Sequence, residues 1–383
     1  MYGTRAVVIG AGIVGAACAR ELSAEGFRVT VVDRGHPGGA TTAHGEGNVL
    51  VSDKGPGPEL ELARLSRRLW PEILDGLPGT DAVEWDAKGG IVVATTEAGA
   101  RALTGFADGQ RNAGILAEPL DAAALAEAEP RLTREVTAAI HYPEDAQVQP
   151  VAAATALLAA SGATLRTGCN VTGPLTDSGC LNGIRTTAGD LPADLVVNAA
   201  GPWAGEVAGV LGAPIDVRPR RGEVLVTTPM PPTVFHKVYD ADYVGAVVSD
   251  AAGLRTSAVV ESTKAGTILL GSSRRQVGFD GRLHIPALSA IAAKALRLFP
   301  GLAGVPVMRA YGGFRPYVPD HLPVIGADPR LPGLWHATGH EGAGIGLSAG
   351  TGRVLRDLVA GRKPEIEVGP FRVDRPAVLG GAR

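Results

Sequence analysis

Gly10-Ala11-Gly12-Ile13-Val14-Gly15 constrains the fold of this chain more than any other stretch of it. The hexad follows Ala6 to Ile9, a short β-branched run, and opens residues 13 to 25, which favour helix. A second such run, Val29 to Val32, ends at Asp33, 18 residues beyond Gly15. Short apolar runs of this kind suit parallel strands buried on both faces. Each glycine then has a separate role. Gly10 makes the tight turn, Gly12 lets backbone approach a pyrophosphate, and Gly15 lets helix pack closely on strand. The helix N-terminus adds N–H donors and positive potential. Asp33 offers acceptors to a ribose diol, and its charge argues against a 2′-phosphate, hence against NADP. The motif leaves FAD and NAD both open.

Composition narrows the setting. The chain has 383 residues, 45% hydrophobic and 20% charged, so it can build a core, and its length suggests two domains. A net charge of -3 gives no reason to expect nucleic acid or an anionic membrane as partner. Cys18, Cys169 and Cys180 form neither a disulfide framework nor a zinc spacing, and no His or Asp cluster suggests a metal. The longest apolar run, Ala6 to Ala19, is 14 residues and falls short of the ~20 a membrane helix needs. With a strand starting within the first ten residues there is no room for a signal peptide, and a cytoplasmic location is expected.

Along the chain the strand-glycine-helix theme recurs in DLVVNAAGPWAGEVA from Asp194 and in PGLWHATGHEGAGIGLSAGTGRVLRDLVAG up to Gly361. Pro58 opens a helix with Leu60, Leu62, Leu65, Leu69 and Ile73 on one face and a kink expected at Pro71. Residues 84 to 140 carry a strand, GGIVVAT, and helical stretches at 97 to 112 and 121 to 129. Residues 217 to 285 look strand-rich, in EVLVTT, YVGAVVS and GTILLGSS. The expected architecture is α/β (α+β overall): a discontinuous nucleotide domain of 1–85, 141–216 and 305–383, with 86–140 and 217–304 as an inserted β-rich substrate domain. Some of the 53 glycines have a matching reason: the Gly10, Gly12 and Gly15 turn, Gly45, Gly47, Gly201 and the run from Gly339 to Gly352 fall where backbone would approach a dinucleotide, while many others are ordinary turns.

Over nearly its whole length the sequence resembles the FAD-dependent D-amino-acid oxidase/dehydrogenase superfamily, which includes glycine and sarcosine oxidases. The resemblance is carried by the fingerprint with Asp33-Arg34, by GATTAHGEGN (39 to 48), DLVVNAAGPWAG (194 to 205), PRRGEVLV (219 to 226), GGFRPYVPDHLPVIG (312 to 326) and ATGHEGAGIGLSAGTG (337 to 352). SDKGPGPELELAR, HKVYDADYVG and GSSRRQVGFD are similar to catalytic subunits of dye-linked, hetero-oligomeric dehydrogenases, a group with hydroxyproline dehydrogenase β subunits, opine oxidases and hydrogen cyanide synthase.

The resemblance implies a Rossmann-like FAD-binding domain of glutathione-reductase type and noncovalent FAD. It implies that Thr41, Thr42, Ala43, His44, Gly47, Asn48 and Leu50 line pyrophosphate and flavin, and that Val171 meets the adenine through its backbone. Ala200, Gly201, Trp203 and Gly313 would close the site, and His340, Glu341, Gly342, Ala343, Gly344 and Ile345 would meet the flavin. In that last loop Gly342, Gly344 and Gly346 leave N–H groups unshielded before a helix, which suits the flavin edge that gains negative charge.

Arg315 matches the family's carboxylate-binding arginine, whose planar fork fits that anion. Tyr243 resembles the tyrosine placed over the substrate. The activity so implied is oxidation of a C–N bond in a small D-amino or secondary imino acid by hydride transfer to flavin N5, giving an imine. Oxygen-using relatives often keep a lysine near the flavin, and Arg274 follows GSS here. Electrons are therefore expected to pass to a partner subunit, quinone or dye, in a homo- or hetero-oligomer. An oxidase making hydrogen peroxide, an NAD-dependent dehydrogenase and a non-catalytic subunit are the alternatives.

Overall fold

The computed structural model describes residues 3–77, 79–242 and 252–380. Its first strands are β1 (Arg5–Ile9), β2 (Arg28–Val32), β3 (Asn48–Val49), β4 (Gly90–Ala94), β5 (Glu118–Pro119), β6 (Ala138–Tyr142) and β7 (Ala146–Gln147). There follow β8 (Thr164–Arg166), β9 (Val171–Asp177), β10 (Cys180–Thr186), β11 (Gly189–Pro192) and β12 (Leu195–Asn198). The last are β13 (Arg218–Thr227), β14 (Lys237–Asp240), β15 (Arg255–Ser262), β16 (Ile268–Arg274), β17 (Val307–Tyr317), β18 (Val324–Ala327) and β19 (Leu334–Thr338).

The three separated strand-glycine-helix segments meet in one sheet of order β18-β19-β12-β1-β2-β8, parallel except for β18. At its centre β1 sets Val7 between Val196 of β12 and Thr30 of β2, and every β1 residue after Arg5 is buried. Burial on both faces explains why these strands read as unbroken apolar runs. The helix Ile13–Ala24 covers the sheet and packs against helices Pro150–Ser161 and Gly344–Val359.

The last contact revises the glycine reading. A Cβ at Gly352 would stand 2.9 Å from the Ala17 carbonyl oxygen, and one at Gly350 would stand 3.1 Å from that of Leu62. These two glycines serve helix–helix approach, away from any cofactor. The helix Pro58–Asp75 continues unbroken through Pro71, whose ring is on the exposed face.

A second sheet, of order β17-β13-β16-β15-β14-β4-β6-β5, is antiparallel apart from the β14–β4 pair. It draws on 90–142 and 218–317, so the region expected to be β-rich is so. β17, expected to belong with 305–383, is instead paired along its length with β13, Arg315 facing Arg220 in register. The expected strand YVGAVVS, with Tyr243, lies outside the described residues.

Candidate functional site

A cavity of about 500 Å³ separates the carboxyl ends of β1, β2 and β12 from the face of the eight-stranded sheet. Ligands of open α/β sheets bind at that strand end. Gly10, with φ +108°, makes the turn, and a Cβ on it would sit 2.4 Å from the Ala199 carbonyl oxygen. Gly12, Ile13 and Val14 line the cavity. Gly15 does not: its Cβ would come within 1.9 Å of the Gly10 carbonyl oxygen, so it permits helix–strand packing, the role expected of it from spacing. Ala11 also lies off the wall, and its N–H donates to Asp33 Oδ2 at 2.8 Å. Asp33 Oδ1 accepts from Gly35 N–H at 2.7 Å, which fixes the carboxylate at the end of β2 beside Arg34.

The loop expected over the pyrophosphate reaches this turn from the side. Thr42 Oγ1 accepts from Ile13 N–H at 3.0 Å, and Thr41 Oγ1 donates to the Phe314 carbonyl at 2.7 Å. One short 3₁₀ turn, Thr41–His44, therefore ties the first helix of one sheet to β17 of the other. Thr41, Thr42, His44 and Asn48 line the cavity; Ala43, Gly47 and Leu50 do not. Gly47, at φ +93°, would press a Cβ to 2.0 Å from the Val148 carbonyl oxygen, and Leu50 is buried, so both serve packing. His44 Nδ1 donates to the Ala40 carbonyl at 2.6 Å, and its ring meets Tyr311 edge-on.

Val171, Ala200, Gly201, Trp203 and Gly313 all reach the wall. So do His340, Glu341, Gly342, Gly344 and Ile345, whereas Ala343 starts the helix Gly344–Val359 behind it. Gly346 is off the wall too: its Cβ would meet the Asn48 carbonyl oxygen at 3.1 Å, and its own carbonyl accepts from Ser66 Oγ and Trp70 Nε1. Thr351 Oγ1 gives its proton to the Leu347 carbonyl, so His340 Nε2 donates to that oxygen and Nδ1 is left as an acceptor. Burial pushes the His340 pKa down to about 3, which keeps the ring neutral. Glu341 has φ +46° and accepts from fully buried Arg220 and from His321 Nδ1 at 2.9 Å. Burial opposes its charge, but the His321 hydrogen bond and the Arg220 and Arg274 charges outweigh it and hold its pKa below the usual range.

Arg315 projects from β17 into the cavity, and Nη1 donates to the Ser273 carbonyl at 2.8 Å. Two glycines give it room. A Cβ at Gly222 would fall 2.2 Å from Nη1, and one at Gly342 would fall 3.4 Å from Nε.

Several wall residues went unselected in the sequence, among them Gly222 and Val224 of β13, Phe314 and Glu46. Their signal was adjacency, since each sits inside one of the family motifs. Glu46 Oε2 accepts from Asn48 Nδ2 at 3.1 Å and is 3.9 Å from Lys237 Nζ, which also reaches Asn48 Oδ1 at 2.5 Å and Glu261 at 3.4 Å. A cavity with a glycine turn and helix N-terminus, an acid at the second strand end and a cradle at Gly12 that a Cβ would fill fits a dinucleotide. Among the described residues no helix is long and apolar enough to cross a membrane.

This fold and site define a dinucleotide-binding α/β protein. The model of the family "FAD dependent oxidoreductase" (DAO) matches residues 5–358, and the chain belongs to that family. Its cofactor is FAD. The chain is 30% identical to the bifunctional protein ThiO/ThiG of Nostoc sp., with 96% of this chain aligned to 54% of that protein, so it spans about half that relative's length. It is 29% identical to hydrogen cyanide synthase subunit HcnC of Pseudomonas aeruginosa over 96% of this chain and 95% of that one. The crystal structure of glycine oxidase from Geobacillus kaustophilus superposes with a TM-score of 0.87 at 27% identity, covering 97% of this chain and 99% of the other.

Proposed function

We propose that the protein oxidises the C–N bond of a small amino acid carrying a free carboxylate, of the glycine, sarcosine, D-proline or hydroxyproline type. The observation that carries this reading is Arg315, a guanidinium held at the Ser273 carbonyl on the cavity wall, beside the Gly342 turn. Its fork pairs with the substrate carboxylate and orients the Cα–H bond across the cavity. FAD, when bound, supplies the two-electron acceptor for the α-hydride. Thr41, Thr42, Asn48 and the Gly342–Ile345 turn hold the cofactor from the side of the parallel sheet, and Asp33 takes the ribose. The neutral His340 keeps extra positive charge out of the loop. The imine product is left to hydrolysis by water.

The two sheets divide the labour, the parallel one carrying the cofactor and the antiparallel one the substrate. The relatives support the reaction class: one is a glycine oxidase and another a subunit of hydrogen cyanide synthase. With HcnC as a relative, a partner subunit or dye is the preferred acceptor, in a cytoplasmic enzyme whose three cysteines are free thiols.

One observation favours a second reading, direct use of oxygen. Lys237 Nζ donates to Oδ1 of the cavity-lining Asn48 at 2.5 Å. Anaerobic mixing with glycine, sarcosine, D-proline and the hydroxyprolines, read as bleaching of the flavin band, tests the substrate class. No bleaching by any of them would overturn it. Hydrogen peroxide formed in step with substrate would select oxygen over a partner.

A further inference from the structure

The dinucleotide cavity has a rim that the cofactor loops do not account for. Residues 276–283 leave the eight-stranded sheet after β16 and carry Phe279 onto Trp203, which follows β12 of the parallel sheet. The two rings stack, with centroids 5.2 Å apart and planes within 5°. Trp203 is a wall residue, and the guanidinium carbon of Arg34 lies 4.2 Å from the same indole centroid. Phe279 also meets Phe314, another wall residue, edge-on at 5.3 Å. One phenyl ring thus touches two parts of the cavity wall that come from different sheets.

The segment is braced for this. Arg221 Nη2 donates to the Gly281 carbonyl at 2.9 Å while its guanidinium lies over Phe314, and Arg282 N–H closes a turn on Asp280 Oδ1 at 3.0 Å. Yet Phe279 remains 37% exposed, so it is no core residue. A braced turn that holds a partly exposed aromatic ring against a cavity-lining indole is doing something other than filling a core. Offset stacking favours this geometry, and the adjacent cation strengthens the indole's hold.

We propose that residues 276–283 form a clasp that retains FAD, with Phe279 stacked on Trp203 as its closing contact. Arg34 follows Asp33, so the half of the cofactor under the clasp is the adenosine half. Opening the clasp parts the Phe279–Trp203 stack, and the cofactor leaves or enters there. The clasp stands whether or not Arg315 binds a carboxylate.

The test is FAD release from the purified holoenzyme, followed as the rise of flavin fluorescence on dilution. Phe279→Ala is expected to speed release on the order of tenfold and to weaken the FAD Kd by a similar factor, the scale of a lost aromatic pair. Phe279→Tyr, which keeps the stack, is expected to release at the native rate. At saturating FAD the substrate KM of both variants stays native, and their far-UV circular dichroism matches the parent. Release from Phe279→Ala at the native rate would overturn the proposal, as would equally fast release from Phe279→Tyr.

Discussion

The guanidinium of Arg315 lies across Gly222 of the neighbouring strand, where a Cβ would come within 2.2 Å of Nη1. Glycine at 222 is therefore a condition for the arginine's position. Gly222→Ala should displace Arg315, raising the substrate KM at least tenfold while FAD still co-purifies. The magnitude follows from loss of much of a charge-assisted pair, about 1.5–3 kcal/mol. Steady-state kinetics beside the flavin-to-protein absorbance ratio reads both, and an unchanged KM would remove Arg315 from substrate binding.

Gly15 has the opposite role. A Cβ there would be driven to 1.9 Å from the Gly10 carbonyl oxygen, and backbone cannot yield as a side-chain tip can. Gly15→Ala should destabilise the fold by about 1–3 kcal/mol and yield protein depleted in FAD, since the turn and the helix must part together. Thermal unfolding of the apo and FAD-loaded variant checks both.

The Arg220–Glu341 pair should show itself in pH. Arg220 is fully buried and pairs with Glu341, so Glu341→Gln removes one partner of a buried ion pair and should destabilise the fold by about 3–5 kcal/mol. Because the folded-state pKa of Glu341 is lowered, its contribution is present above the unfolded value of about 4.3 and is lost as pH falls through the lower folded one. Parent and variant should differ most at neutral pH and converge in acid. A constant gap down to pH 3 would contradict the assignment.

Asp145 runs the other way. Burial raises its pKa, and the hydrogen bonds from Ser52 and Val51 only partly offset this, leaving it at about 6. The folded chain therefore binds a proton that the unfolded chain has lost, so stability from this site is present below the unfolded value of about 3.9 and declines as pH rises through 6. Asp145→Asn should flatten that part of the stability profile between pH 4 and 7, measured by urea unfolding. A slope unchanged by the substitution would show that Asp145 titrates normally.

Much of this was legible in the chain. Gly10, Gly12, Gly15 and Asp33 lie within one strand-helix-strand unit, where spacing alone sets geometry, and all four are placed as that spacing requires. Helix Glu97–Asn112 falls where residues 97 to 112 were expected, because Thr96 caps it through Gly99 N–H. What misled was glycine counted without its neighbours. Gly346, Gly350 and Gly352 stand in the same run as Gly342 and Gly344, but face Asn48, Leu62 and Ala17.

The sequence by itself determined the nucleotide turn, the parallel strands that frame it and the family, since each rests on residues close in the chain or on motifs in order. Only the tertiary structure decided which glycines border the cavity, that β17 joins the eight-stranded sheet, and where Arg315 points. Its guanidinium is positioned by Ser273, Gly222 and Gly342, which come from three distant segments. No local pattern encodes a meeting of that kind, because it exists only once the two sheets have packed against each other.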